Sequence, residues 1–515
     1  MLRAWATVVS ISLCLGLAGC DGETRLSTGG LAAPRAVFLA GTEADPARQE
    51  LFSVDLDGGR RTSLTDALLG RGRVLDFQVS PDRDDDVAFR AEVDEVGRVE
   101  LFVADTVTGG ADSVSGAPVP GGAVLAYAWS PDSARLAWLA DQEQPGQVEL
   151  FTARADGSAF TKVSQLGNAD ADVEAFAWSP DGTRIAYRAD WQVDGQVELI
   201  TTPADSAAGV AVSDRSISQG NVLDFAWSPD ATHLAYTAEQ ADGRQQLFGT
   251  LATQAQISLL SGEVDGGDIA AFAWSPDGTR LAFLADRQFD EVFELFTVGA
   301  LGGVTRTSGD LPADADVNAF AWSPDGTRLA YRADQRVAGI QELFVTPGAG
   351  LPQPVHGLLE AGGGVFDFAW EPVGTRIAFL VREELAGVVS LFVGAGGAAT
   401  RLSEATEDVT AFAWSPDGGR LAYQTDALFT VAPAGTPLQV SGTEGTVLDF
   451  VWSSDGERLV YRVDPGDGSL RLFATGPLIG GPVDISGPEA GLRVRSRGDY
   501  IAGRIEDDGD GPVAP

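Results

Sequence analysis

Carboxylates recur along this chain at fixed places, and they are the side chains with the most chemistry to offer. One set, Asp172, Asp268, Asp316 and Asp408, leads into a short apolar run. A second set, Asp76, Asp224, Asp367 and Asp449, stands one position before a recurring Phe. Carboxylate oxygens on neighbouring loops can ligate Ca²⁺, which prefers several hard oxygen ligands. They can equally concentrate cations or dock a basic partner. No EF-hand or RTX-like spacing occurs, so no cofactor is expected, with Ca²⁺ kept as the alternative. The bland reading of the same residues is a solvated rim with local ion pairs to arginine. Trp191 and Phe289 fall in the same class of loop and are aromatic anchor candidates for a partner.

Catalytic constellations are scarce. The chain has two histidines. His233 occupies a place where other copies of the pattern carry Arg, such as Arg184 and Arg328, which assigns it to structure. His356 lies in a variable connection with no motif around it. There is no G-x-S-x-G elbow, P-loop, dinucleotide fingerprint or zinc-ligand cluster. Paired carboxylates could serve a glycan-active hydrolase or lyase, but a residue repeated around a scaffold is weak evidence for a catalytic pair. The expectation is a protein that is not an enzyme, with the glycan-active enzyme as the alternative.

These residues are positioned by a repeat. The phrase FAWSPDGTRLAY is written in full or nearly so at Phe176–Tyr187, Phe225–Tyr236, Phe272–Phe283, Phe320–Tyr331, Phe368–Phe379 and Phe412–Tyr423. Its Trp recurs at 129, 178, 227, 274, 322, 370, 414 and 452, a step of mostly 47–50 residues that shortens near the end. A fixed period of that size means one supersecondary unit copied many times. Each unit reads as four short strands. V-x-x-F-A-W runs through the tight turn S-P-D-G into R-L-A-Y; then come E-L-F and a short strand ending near L-S. Four antiparallel strands per unit is the blade of a β-propeller. The third-strand signature counts ten units, from Leu51-Phe52 to Leu472-Phe473. The fold expectation is therefore all-β, about ten four-stranded blades in one ring, with two smaller propellers as the alternative. The first unit starts at its second strand. Near the other end Leu492-Arg493-Val494, Gly498 and Ile501-Ala502 align loosely with F-A-W, G and L-A, so the C-terminus is expected to supply the first blade's inner strand.

The phrase WSPDGTRLAY resembles the PD40 (WD40-like) repeat of the TolB-type bacterial propellers, a repeat shared by the propeller domains of prolyl-oligopeptidase-like peptidases. The resemblance covers nearly the whole chain after its N-terminal segment and implies the propeller fold. The α/β-hydrolase domain of those peptidases and the N-terminal α/β domain of TolB have no counterpart in the repeat region, so partners are not carried over. At the N-terminus Arg3, the apolar run Ala6–Leu17 and Leu17-Ala18-Gly19-Cys20 resemble a bacterial lipoprotein signal, with Cys20 as the lipidated residue. The expected organisation is a signal peptide over 1–19, a lipidated flexible tether over 20–34, the propeller over 35–505 and an acidic tail over 506–515.

A net charge of −39 argues against nucleic acid as a partner, because phosphate binding needs a basic surface. Chain direction in a propeller puts every SPDG turn on one face and every variable loop on the other, around the channel mouth. Binding is expected on the variable side. The functional expectation is a monomeric, membrane-tethered binding or scaffold module. It would present an acidic loop face to a protein, peptide or glycan in the bacterial cell envelope, in the periplasm or on the outer surface. A purely structural envelope component is the other alternative.

Overall fold

The computed structural model describes residues 35–486, apart from 42–48, 66–67, 69–71, 82–85, 94–96, 168–170, 194, 214–219, 241–242, 263–266, 288–291, 300–301, 313–314, 347–350, 384–386, 468 and 479–480. Cys20, Phe289, the expected signal and tether, Leu492 to Ala502 and the acidic tail lie outside the described residues. Every described element is a strand. The strands form ten antiparallel sheets, each in simple up-and-down order. Blade one spans 35–63, two 73–113, three 124–162, four 173–211, five 222–259, six 269–306, seven 317–354, eight 364–401, nine 411–439 and ten 446–484. Blades two to ten have four strands; blade one has three among the described residues.

The core sits between blades, not inside them. Both faces of a blade carry apolar side chains, because each sheet is covered on both sides by its neighbours. Ten buried clusters result, one at each junction. Val212, Val222 and Leu234, for example, join blades four and five together with Leu199. The cluster of Phe38, Val54, Leu56, Val460, Leu472 and Ile485 joins blade ten to blade one. Arg61 of blade one also donates to the Ser486 carbonyl at 2.9 Å. One closed ring follows, and the division into two smaller propellers is set aside: no junction among the ten lacks its core. Within a blade, the aromatic of strand two stacks on the Phe of strand three, as Tyr331 does on Phe344 at 5.4 Å between ring centroids; blade four carries Ile200 in place of that Phe.

The SPDG turn is self-contained. Ser179 accepts the Arg184 N–H at 3.0 Å and donates to Asp181 at 2.6 Å, while Asp181 accepts the Thr183 N–H at 3.0 Å. Gly182 takes φ +68°, the left-handed region that glycine enters without steric cost. Ser133 and Ala231 hold the same position at φ 56° and 59°, so the side-chain bonds of the turn enforce that conformation even without glycine.

Candidate functional site

The inner strand of each blade faces the channel and presents an unpaired backbone edge, a liability that proteins must cover. The repeated residues of this chain cover it from neighbouring blades. Each strand-one Trp donates its indole N–H to a strand-one carbonyl of the preceding blade. Trp178 donates to Ala128, Trp227 to Ala177, Trp322 to Ala273 and Trp370 to Ala321, at 3.1–3.2 Å. Eight such bonds run from Trp129 to Trp452 among the described residues. On three of these indoles a guanidinium from the preceding blade is stacked, for instance Arg280 over Trp322 at 4.8 Å. The signature Trp is thus a ring-building residue.

The variable face has its own latches. Asp172 accepts the Val148 N–H of the preceding blade at 2.6 Å, Asp316 that of Phe293 at 2.8 Å and Asp408 that of Val389 at 2.8 Å; Asp268 accepts that of Gln245 at 3.3 Å. Each carboxylate caps the backbone at the start of strand three of its neighbour, on its first residue or the one before it. Asn221 does the same for Val197 at 2.9 Å, which shows that the position needs an acceptor rather than a charge. The strand-two carboxylates hold this lead-in from behind: Asp190 accepts from Asp172 N–H at 2.7 Å and Asp334 from Asp316 N–H at 2.7 Å. Their second oxygens close the strand-two to strand-three loop, Asp190 on Gly195 and Asp334 on Gly339.

The second predicted set divides. Asp76 and Asp449 are forked by Arg90 and Arg462 of their own blades. Asp224 and Asp367 accept the N–H of the following Phe, both at 2.8 Å. Burial pushes the Asp224 carboxyl up, against the N–H of Phe225 and the charge of Arg188. The strand-two arginines also reach forward across the junction. Nη1 of Arg188 donates to Val222 at 3.1 Å and to Leu223, and Gln424 supplies the same link to Val447 and Leu448, each at 3.0 Å. Those carbonyls belong to a β-bulge at the start of strand one.

The structure therefore brings the first Asp set together with neighbouring backbone, not with one another. No group of three or more His, Cys, Asp or Glu among the described residues is arranged to hold a metal ion. Trp191 is half-buried and turned back: its indole donates to the Gln165 carbonyl, and its own carbonyl accepts the Gly167 N–H at 3.0 Å. The two strands of loop bound a shallow depression of about 460 Å³ lined by Gln165, Leu166, Gly167, Trp191 and Gln192.

Two features escaped sequence reasoning. His356 has a repeated context after all: it stands where other blades carry a Ser or Thr whose Oγ accepts a strand-three N–H, as Ser403 does for Leu391 at 3.1 Å. Its ring lies 5.8 Å from Phe379, and burial lowers its pKa. Aligning the L-S ends of the units would have found it. The other feature is apolar. The bulge residues Leu125, Phe366 and Leu448 are exposed at the channel mouth, and Val193, Val337 and Leu358 are exposed on the variable loops. Arg336 ties the loop bearing Val337 to the Gly357 carbonyl beside Leu358 at 3.1 Å. No alternation pattern marks a bulge residue, so sequence gave no sign of it.

Residues 149–292, from the third strand of blade three into blade six, match the family described as the lipoprotein LpqB β-propeller domain. No curated protein matches the chain. Among solved structures, a prolyl endopeptidase is similar at 14% identity and a TM-score of 0.38, over 65% of this chain and 52% of that one. A eukaryotic initiation factor is similar at 12% identity and a TM-score of 0.48, over 89% of this chain and 97% of the other. This chain thus spans about half the length of the endopeptidase. Neither likeness bears on function.

Proposed function

We propose that this protein is an exported β-propeller, tethered to a bacterial membrane through Cys20, that uses its variable face to bind a protein, peptide or glycan of the cell envelope. The observation that carries the reading is the division of labour on that face. Its stereotyped carboxylates are engaged with backbone or with arginine, while Val193, Val337, Leu358 and Phe366 stand exposed on that face. Exposed apolar side chains rimmed by polar groups are what interaction surfaces offer. The match of part of the chain to a lipoprotein propeller domain supports an envelope setting. The acidic composition adds a preference for cationic partners over nucleic acid. The repeated residues build the ring, so we assign the protein a binding role and no reaction.

The test is capture from envelope extract with the purified propeller, comparing wild type with V193S/V337S/L358S/F366S. A control changes Leu351 and Val373, exposed on the SPDG side, to Ser. The face variant should lose partners that the control retains. Equal capture by both variants, or retention of a Cys20→Ser variant in the membrane fraction after a salt wash, overturns the corresponding half of the reading.

A further inference from the structure

Blade four fills one corner of the variable face differently from blades three and seven. In those two, a Gln stands four positions after the buried aromatic of strand two and satisfies its polar atom. Gln142 accepts the Trp138 indole N–H at 2.9 Å, and Gln335 accepts the Tyr331 hydroxyl at 2.6 Å. Blade four carries Trp191 at this position, and an indole has no acceptor to offer. The hydroxyl of Tyr187, a fully buried residue, accordingly has no hydrogen-bond acceptor among the described residues. A buried hydroxyl left in that state costs stability and calls for an explanation. The exchange also changes what fits opposite. A Cβ on Gly309 would meet the Gln335 amide at 2.3 Å, so the filled corner of blade seven excludes a side chain at that place. Blade four carries Gln165 there, directly after Ser164 as Gly309 follows Ser308. The outcome is the depression of about 460 Å³ already described, within the roughly 300–1,000 Å³ of small-ligand sites. Its platform is fixed in advance. Trp191 and Leu166 pack against the core that joins blades three and four, and the indole N–H is held by the Gln165 carbonyl.

We propose that this depression binds a neutral pyranose unit of a glycan, stacked on Trp191. The inference rests on the binding role proposed above and names its ligand class. A pyranose ring has a face of C–H bonds that is apolar and slightly positive, and the face of an indole is apolar and negative, so the two are complementary. An indole whose N–H is already engaged contributes its ring and not a donor, which leaves stacking as its contact. Around its C–H face a sugar carries hydroxyls that both donate and accept. The amides of Gln165 and Gln192, exposed at the depression, also do both. Neither amide is charged, so each can pair with a hydroxyl without the cost of stripping water from an ion. The unmade bond of Tyr187 is what blade four gives up to place an aromatic platform where a Gln would close the corner.

Titration calorimetry of the purified protein with cellohexaose, maltohexaose, chitohexaose and mannohexaose tests this. At least one of the four should bind with one site per chain. Trp191→Ala should weaken that binding by more than about tenfold, and Gln192→Ala severalfold. Trp191→Gln rebuilds the corner of blades three and seven. It should weaken binding as much as Trp191→Ala does while its melting temperature stays at or above that of the wild type, because Tyr187 regains an acceptor. This variant keeps the test sharp if Trp191→Ala does not fold. Binding of none of the four sugars, or binding that both Trp191 variants retain, overturns the site. A lower melting temperature in Trp191→Gln overturns the exchange from which the site is argued. Hexalysine is the charged control: if it binds and Trp191→Gln removes that binding, the site takes a cation and the proposal falls. A wild-type protein that binds no neutral sugar, yet captures envelope partners that the V193S/V337S/L358S/F366S variant loses, overturns this site and leaves the binding role standing.

Discussion

The two faces of the ring use the same residue type for different work. On the SPDG face, an aspartate such as Asp277 bonds within its own turn, accepting from Ser275 and from the Thr279 N–H. On the variable face, an aspartate such as Asp172 reaches the preceding blade. A local bond stiffens a hairpin whose neighbours need not exist. A bridging bond has meaning only in a closed ring. The conserved look of a repeated carboxylate therefore says nothing about which kind of work it does. The difference also explains where a partner surface can arise: bridging residues are held in place by the ring, and the loops between them are left to vary.

The largest effect expected from breaking the comparison lies at the seam both faces share. Trp322→Ala removes a large side chain from the junction of blades six and seven, its bond to Ala273 and its stacking with Arg280. It should cost about 3–5 kcal/mol in chemical denaturation. Trp322→Phe, which loses mainly the hydrogen bond, should cost about 1 kcal/mol. Equal costs for the two would show that the indole N–H, which both variants lose, and not packing holds the inner edge.

Next comes the bridging aspartate. Asp172→Ala leaves the Val148 N–H without its acceptor and should cost about 1–3 kcal/mol. Asp172→Asn should be close to neutral, because Asn221 already performs this task one blade on. The response of the melting temperature to Ca²⁺ over NaCl should be the same in wild type and D172N. A Ca²⁺ increment that disappears in D172N would show that the charge, and not only the acceptor, is used.

The smallest effects are opposite pH signatures. For Asp277 and Asp181, burial acts upward, but hydrogen bonds from Ser and Thr outweigh it and hold the carboxyls below their ordinary value. Such a group stabilises the fold above its unfolded pKa of about 3.8, and the contribution is lost as pH falls through the lower folded value. Asp224 runs the other way. Burial raises it, so its ionised form costs stability near neutrality and the cost disappears as pH falls. Asp277→Asn should flatten the acid limb of a melting curve against pH. Asp224→Asn, which keeps an acceptor for the Phe225 N–H, should raise the neutral melting point by about one to two degrees. A lower melting point in D224N would mean that the Arg188 charge outweighs desolvation.

The sequence by itself determined the architecture. A repeated pattern of period two, broken by S-P-D-G and copied at a near-constant step, admits few solutions other than blades. The ten third-strand signatures, nine of them L-F and one Leu199-Ile200, then number them, and the start of blade one at its second strand among the described residues is legible in the same way. Only the tertiary structure decided what the repeated polar residues do. Asp172 and Val148 are 24 positions apart, and Trp227 and Ala177 are 50 apart. Their pairing depends on how one blade is rotated against the next, a quantity that no local pattern encodes. The exposed bulge residues Leu125, Phe366 and Leu448 were hidden for a related reason. Alternation assigns each apolar side chain to one of a blade's two buried faces, and a bulge turns it toward the channel instead.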